Sequence, residues 1–157
     1  MGQAGRRALA LCAAVAVAVA AGCGGGGDGR LTKSQYEQKM RAEATALQAS
    51  VSNLGAAQGS LTTLAAKVDS IKQAFTKAAN DIDGLSPPKD AEADTQQIAD
   101  TLRRFAGLLG SVKGAAANKD TARVQQLFAQ IQSAGQGAAQ ASADLKKKGY
   151  DIGAFNG

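Results

Sequence analysis

Not one of the 157 residues is histidine, and that absence excludes more chemistry than any other feature of the chain. Histidine is the commonest general base and the commonest transition-metal ligand. Ser/His/Asp and Cys/His nucleophile systems are therefore excluded, together with Cys-x-x-Cys-His haem attachment and the Glu-x-x-His di-iron pattern of some helical bundles. Tryptophan is missing too, and aromatic residues make up only 4% of the chain, so the core is expected to consist mainly of Leu, Ile, Val and Ala. The glycine run Gly24–Gly27 is not a phosphate-binding loop, because no Lys-Ser/Thr follows it and no strand precedes it. No catalytic residue, cofactor or metal ligand is expected, and the chain reads as a non-enzyme.

The two cysteines, Cys12 and Cys23, lie near the start of the chain. Arg6 and Arg7 are followed by an apolar run from Ala8 to Ala21 and then by Gly22-Cys23. Basic, apolar and small residues in that order form an export signal, and Val19-Ala20-Ala21-Gly22-Cys23 reads as a lipobox, with Ala20 where Leu is commonest. The apolar run is shorter than the roughly 20 residues that span a bilayer as a helix, which favours cleavage over a permanent anchor. On this reading residues 1–22 are a removable signal peptide and Cys23 is the lipidated first residue of the mature protein. Ordinary secretion and an uncleaved anchor are the alternatives, and the twin arginines do not decide between Sec and Tat export. A diacylglycerol thioether carrying palmitate-type chains holds a protein at a membrane far better than one acyl chain does.

Residues 23–30 then serve as a tether, since glycine samples many conformations and offers nothing to pack. With Cys12 removed and Cys23 lipidated, no disulfide is expected, although the compartment would allow one. Of 18 Lys and Arg, Arg6 and Arg7 leave with the signal, so 16 face 13 acidic residues. That excess of about +3 is more often a solubility feature than an affinity for anionic polymers, and nucleic acid is not expected as a partner.

Beyond the tether the pattern is helical. Met40, Leu47, Leu54, Leu61, Val68, Phe75 and Ile82 recur at seven-residue intervals, interleaved with Val51, Leu64, Ile71 and Leu85, a stripe that no alternating strand produces. Asn53, Gly55, Gly59 and Ser60 supply a stop and restart, with Gly55 as a C-terminal cap and Ser60 as an N-cap. Gly84 ends the next helix, Ser86 is placed to cap the third, and Pro87 suits a first turn. The third helix carries Ile98, Leu102, Phe105, Leu108, Leu109 and Val112. Asp120 caps a fourth that carries Val124, Leu127, Phe128, Ile131, Ala134, Ala138 and Leu145. Lys146, Lys147 and Lys148 suit the negative end of its dipole, and Gly149 ends it.

Helices near 34–54, 60–84, 87–117 and 120–148 predict an all-α, up-down-up-down four-helix bundle over residues 31–157. The alternative is a three-helix arrangement with one long N-terminal coiled-coil helix, because the stripe keeps its phase through 53–60. Gly107, Gly110, Gly114, Gly135 and Gly137 each cost roughly 0.5–1 kcal/mol inside the later helices. Close helix crossings and sequence drift both explain them.

Leu31-Thr32-Lys33-Ser34-Gln35-Tyr36-Glu37, Leu85-Ser86-Pro87-Pro88 and Lys148-Gly149-Tyr150-Asp151-Ile152 together resemble a group of small, uncharacterised helical lipoproteins of actinobacteria. The resemblance spans nearly the whole chain through short motifs, and it implies location and shape more than chemistry. Some members carry a histidine after the double proline; this chain has none.

Three clusters remain to be weighed. Asp81, Asp83, Asp90, Glu92 and Asp94 bracket the double proline, but they do not match the twelve-residue calcium loop and read as solvated helix ends. Tyr36 and Met40, four residues apart, read as core. Tyr150, Ile152 and Phe155 either dock on a partner or fold back, and Tyr150 after Gly149 favours a closure onto Leu145. The functional expectation is a monomeric, membrane-anchored module on the extracytoplasmic face of a bacterial membrane, binding an envelope protein or polymer. A carrier of a small apolar ligand within the bundle is the alternative, and it calls for a cavity of roughly 300 Å³ or more.

Overall fold

A computed structural model describes residues 29–55 and 61–153, with side chains over 29–52 and 67–153. Residues 1–28, including Cys23 and Gly24–Gly27, lie outside the described residues, as do Gly59, Ser60 and Phe155. Four helices make up the described fold: α1 (Lys33–Gly55), α2 (Leu61–Asp83), α3 (Glu92–Ala117) and α4 (Thr121–Lys147). Successive helices pack on one another, α1 on α2, α2 on α3 and α3 on α4, as an up-down bundle requires. The amide of Leu31, just before α1, donates to the carbonyl of Ser86, just after α2, at 2.7 Å. Met40 and Ile82 share one core cluster. The start of α1 therefore lies beside the end of α2, the chain reverses between them, and the single long N-terminal helix does not form.

The helix ends follow from local chemistry. Thr32 caps α1: its Oγ1 accepts from the amide of Gln35 at 3.3 Å while the Gln35 Oε1 accepts from the Thr32 amide at 3.0 Å. This reciprocal box satisfies two amides that the first turn leaves free. Asp120 caps α4 by accepting from the amide of Arg123 at 2.9 Å. Gly149, at φ +83°, closes α4 in a Schellman turn, its amide donating to Lys146 and that of Tyr150 to Leu145, both at 2.9 Å.

Two expectations are corrected here. Ser86 does not cap the third helix and Pro87 is not in its first turn, because a single 3₁₀ turn at Lys89–Ala91 intervenes and α3 begins at Glu92 with no side-chain cap. Pro88 disfavours a helical conformation in the residue before it, which pushes the helix start downstream. Val51 and Phe128, both placed on buried stripes, are 41% and 54% exposed. The glycine question divides by position. A Cβ on Gly137 would stand 3.1 Å from Thr101 Oγ1, whereas one on Gly107 or Gly114 would meet nothing within 4 Å.

The turn from α3 to α4 copies the Schellman geometry without a glycine. Lys119 occupies the left-handed position at φ +56°, with its amide donating to Ala116 and that of Asp120 to Ala115. A side chain there costs roughly 1–2 kcal/mol. Lys119→Gly is expected to raise stability by about 0.5–1 kcal/mol once the entropic cost of glycine is offset. Chemical denaturation checks it, and an unchanged or lowered midpoint would count against this account of the turn.

Among the described residues the main buried cluster lies at one end of the bundle. Tyr36, Met40, Ile82, Ile98, Leu145 and Ile152 are buried there, where α1 and α3 begin and α2 and α4 end. Along the core-facing stripe of α1, burial decays with distance from that end: Tyr36 and Met40 are fully buried, Ala44 nearly so, Leu47 half-buried and Val51 exposed. Midway, Phe75 and Phe105 meet with ring centroids 5.5 Å apart and tie α2 to α3.

Candidate functional site

The closed end gathers most of the buried polar groups. Thr95, on the second turn of α3, donates its hydroxyl to the carbonyl of Ala91 at 2.7 Å, so its oxygen is left to accept from Tyr36, whose hydroxyl lies 2.7 Å away. Tyr150 stands edge-on to Tyr36, with centroids 5.4 Å apart and planes at 86°, an arrangement the ring quadrupoles favour. Its hydroxyl donates to Asp90 Oδ1 at 2.7 Å. The Lys148 ammonium donates to Asp94 Oδ2 at 2.7 Å and to the Asp90 carbonyl at 2.6 Å. Lys33 Nζ sits 5.2 Å from the centre of the Tyr150 ring, within cation–π range.

The tail continues across α1. Arg41 pairs with Asp151 at 2.8 Å, and the Asp151 amide donates to Glu37 Oε1 at 3.0 Å. Ile152 is fully buried. Tyr150 and Ile152 thus fold back and cover the end of the bundle, as the glycine closure implied. Arg30, read as the last tether residue, donates to the carbonyl of Pro87 and to Glu92, each at 3.0 Å. The folded end begins at least there.

The five carboxylates around the double proline are separately engaged. Asp81 pairs with Lys77, Asp83 with Arg103, Glu92 with Arg30 and Asp94 with Lys148, while Asp90 accepts from Tyr150. Among the described residues no three acidic or thiol side chains gather where a metal ion could sit. Asp94 departs from the solvated-end reading, since it is only 8% exposed. Its pairing with Lys148 spans 54 residues, and no local signal announces it. Thr32 and Gln35 were also overlooked, although Thr-x-x-Gln before a helical stripe is the signature of a capping box.

Three groups of the cluster, Tyr36, Tyr150 and Lys148, are shifted upward. Burial is the main cause that pushes the Tyr36 hydroxyl up to about 12, with the Thr95 hydrogen bond acting against it and the Asp94 charge adding to it. Tyr150 is raised as well, first by burial and then by its hydrogen bond to Asp90. The hydrogen bond to Asp94 raises Lys148, and desolvation partly opposes it. A general base or an activated nucleophile needs a pKa drawn toward neutrality. The three shifts run the other way, and the hydrogen bonds of the cluster fasten the tail to the start of α3.

A pH dependence follows. Because the folded pKa of Tyr36 lies above its unfolded value near 10, the stabilisation is complete below pH 10 and is lost as pH rises from 10 through about 12. With no tryptophan and two tyrosines in the chain, tyrosinate absorbance is a clean probe. It is expected to stay low above pH 10 while far-ultraviolet circular dichroism remains native, and then to rise together with unfolding. Tyrosine ionisation near pH 10 with the helices intact would refute the burial argument.

Comparison with protein-family models, with curated proteins and with solved structures finds no match. The class defined by the described residues is a small all-α domain of four helices packed in sequence.

Proposed function

We propose that this protein is a lipid-anchored, non-enzymatic module on the extracytoplasmic face of a bacterial membrane, binding an envelope protein or polymer. The observation that carries the reading is the order of Arg6-Arg7, the apolar run Ala8–Ala21 and Ala20-Ala21-Gly22-Cys23, with a glycine tether directly after the cysteine. Two features of the fold agree with it. The segment entering α1 is pinned at the closed end through Leu31 and Arg30, so a tether leaves from that end and directs the opposite end away from the membrane. No described helix is long and apolar enough to cross a membrane, which is in keeping with attachment through Cys23. Grooves of 390–550 Å³ lined by residues such as Lys72, Gln73, Asn80, Gln97 and Asp100 lie open on the surface rather than enclosed between the helices, and they lend no weight to a carrier that holds an apolar ligand within the bundle.

Intact-mass analysis of the membrane fraction tests the proposal. The expected species begins at Cys23 and carries the mass of a diacylglycerol, with or without a third chain. Cys23→Ala is expected to abolish the lipid and release the folded domain from membranes. A protein starting before Cys23, or starting at Cys23 without lipid, would overturn it.

A further inference from the structure

We propose that Asp83–Gly84, where α2 ends, is a latent site of spontaneous isoaspartate formation, held shut by the ion pair to Arg103 and by the amide hydrogen bond to Asn80. Glycine has no side chain to shield its own amide nitrogen, so in an Asp-Gly pair that nitrogen reaches the aspartyl Cγ with little hindrance. A bond forms between the Gly84 nitrogen and the Asp83 Cγ, a Cγ–O bond of the neutral carboxyl breaks, and the amide proton leaves with the hydroxyl as water. Water then opens the succinimide ring. Opening at the main-chain carbonyl routes the backbone through Cβ and Cγ of Asp83, one carbon longer, and leaves the α-carboxylate as a side group; nothing is oxidised or reduced.

The fold opposes three conditions of that ring closure. The amide of Gly84 has to give up its proton, and here it donates that proton to the Asn80 carbonyl at 2.9 Å. The carboxyl has to be free to turn its carbon toward the nitrogen, and Asp83 Oδ2 is held 2.7 Å from Arg103 Nη2. A second contact, from Arg103 Nη1 to Asp100 at 3.0 Å, steadies the guanidinium. The backbone of Asp83 has to leave the helical conformation, and Asp83 is the last residue of α2. Helix ends fray, so the amide and the backbone are released together when the last turn opens. Arg103 is then the remaining hold, and it comes from a different helix, α3.

The position gives the modification a consequence. Leu85 packs against the core cluster, and the Ser86 carbonyl accepts from the Leu31 amide at 2.7 Å. An extra backbone carbon at residue 83 falls directly before both, so it slackens the join that seats the start of α1 beside the end of α2. A copy that has isomerised is expected to melt at a lower temperature than a new one. The inference makes no use of the proposed lipid anchor.

Timed incubation of the purified full chain at physiological temperature and pH, followed by tryptic mapping, tests this. Peptide 78–89, released between Lys77 and Lys89, separates the isomers by retention, and electron-transfer fragmentation assigns the change to Asp83. Isoaspartate at Asp83 is expected to form about tenfold faster in denaturing urea than in the folded protein, the combined effect of one hydrogen bond and one exposed ion pair. Arg103→Gln should raise the folded rate about two- to fivefold. Asp100→Asn, which keeps the pair between Arg103 and Asp83, should leave it unchanged. Adding Gly84→Ala to Arg103→Gln should remove the gain, since a Cβ there stands 3.4 Å from the Asn80 carbonyl, an ordinary contact. Circular dichroism at the incubation temperature checks that each variant stays helical, and the comparison with urea needs no variant at all. Equal rates in urea and in the folded protein, or a folded rate indifferent to Arg103→Gln, overturns the proposal.

Discussion

Ending the chain after Lys148 is expected to lower the stability of the domain by about 3–6 kcal/mol, the worth of burying two large side chains. The truncation removes Tyr150 and Ile152, which are 5% and 0% exposed. It also removes the Schellman closure of α4, the hydroxyl on Asp90 and both tail contacts to α1. Since small domains hold about 5–15 kcal/mol in all, the loss is a large part of the total. The melting temperature should fall by at least about 10 °C. Ending the chain after Gly153 keeps every one of these contacts and serves as the control. Equal melting of the two truncated forms would show that the tail rests on the bundle without holding it.

Tyr36→Ala is expected to cost about 3–5 kcal/mol, the range for deleting a buried aromatic ring, and Tyr36→Phe only about 1 kcal/mol. The gap arises because Phe keeps the ring against Tyr150 and removes only the hydrogen bond to Thr95, whose own hydroxyl still reaches the Ala91 carbonyl. Combined with Tyr150→Ala, the pair should show a coupling of about 0.5–1.5 kcal/mol in denaturant melts. If Phe proved as damaging as Ala, the hydroxyl pair would be the main contact and the ring packing secondary.

Helix identity was legible in the sequence because a seven-residue recurrence from Met40 to Ile82 admits one periodicity. Asp120 and Gly149 were legible too, since each acts on amides or carbonyls within a few residues of itself. The fastening was not. Asp94 with Lys148, Tyr150 with Asp90 and Arg41 with Asp151 are 54, 60 and 110 residues apart, and nothing local to any of them specifies the other. Val51 and Phe128 show a second limit: periodicity reports which face of a helix is apolar, and it does not report whether a neighbour stands opposite at that height. The double proline misled differently, because the 3₁₀ turn at Lys89–Ala91 uses three residues that the pattern assigned to helix.

The contacts between the tail and α1 join residues near the two extremes of the described chain. Each helix, α1 included, packs on its neighbour in sequence, whereas Arg41 and Glu37 meet Asp151 only across 110 and 114 residues. Loop closure over that distance is the slow event. A chain delivered from its N-terminus presents α1 first and the residues of the tail last, so the contacts of Arg41 and Glu37 to Asp151 are completed only when the whole domain is present.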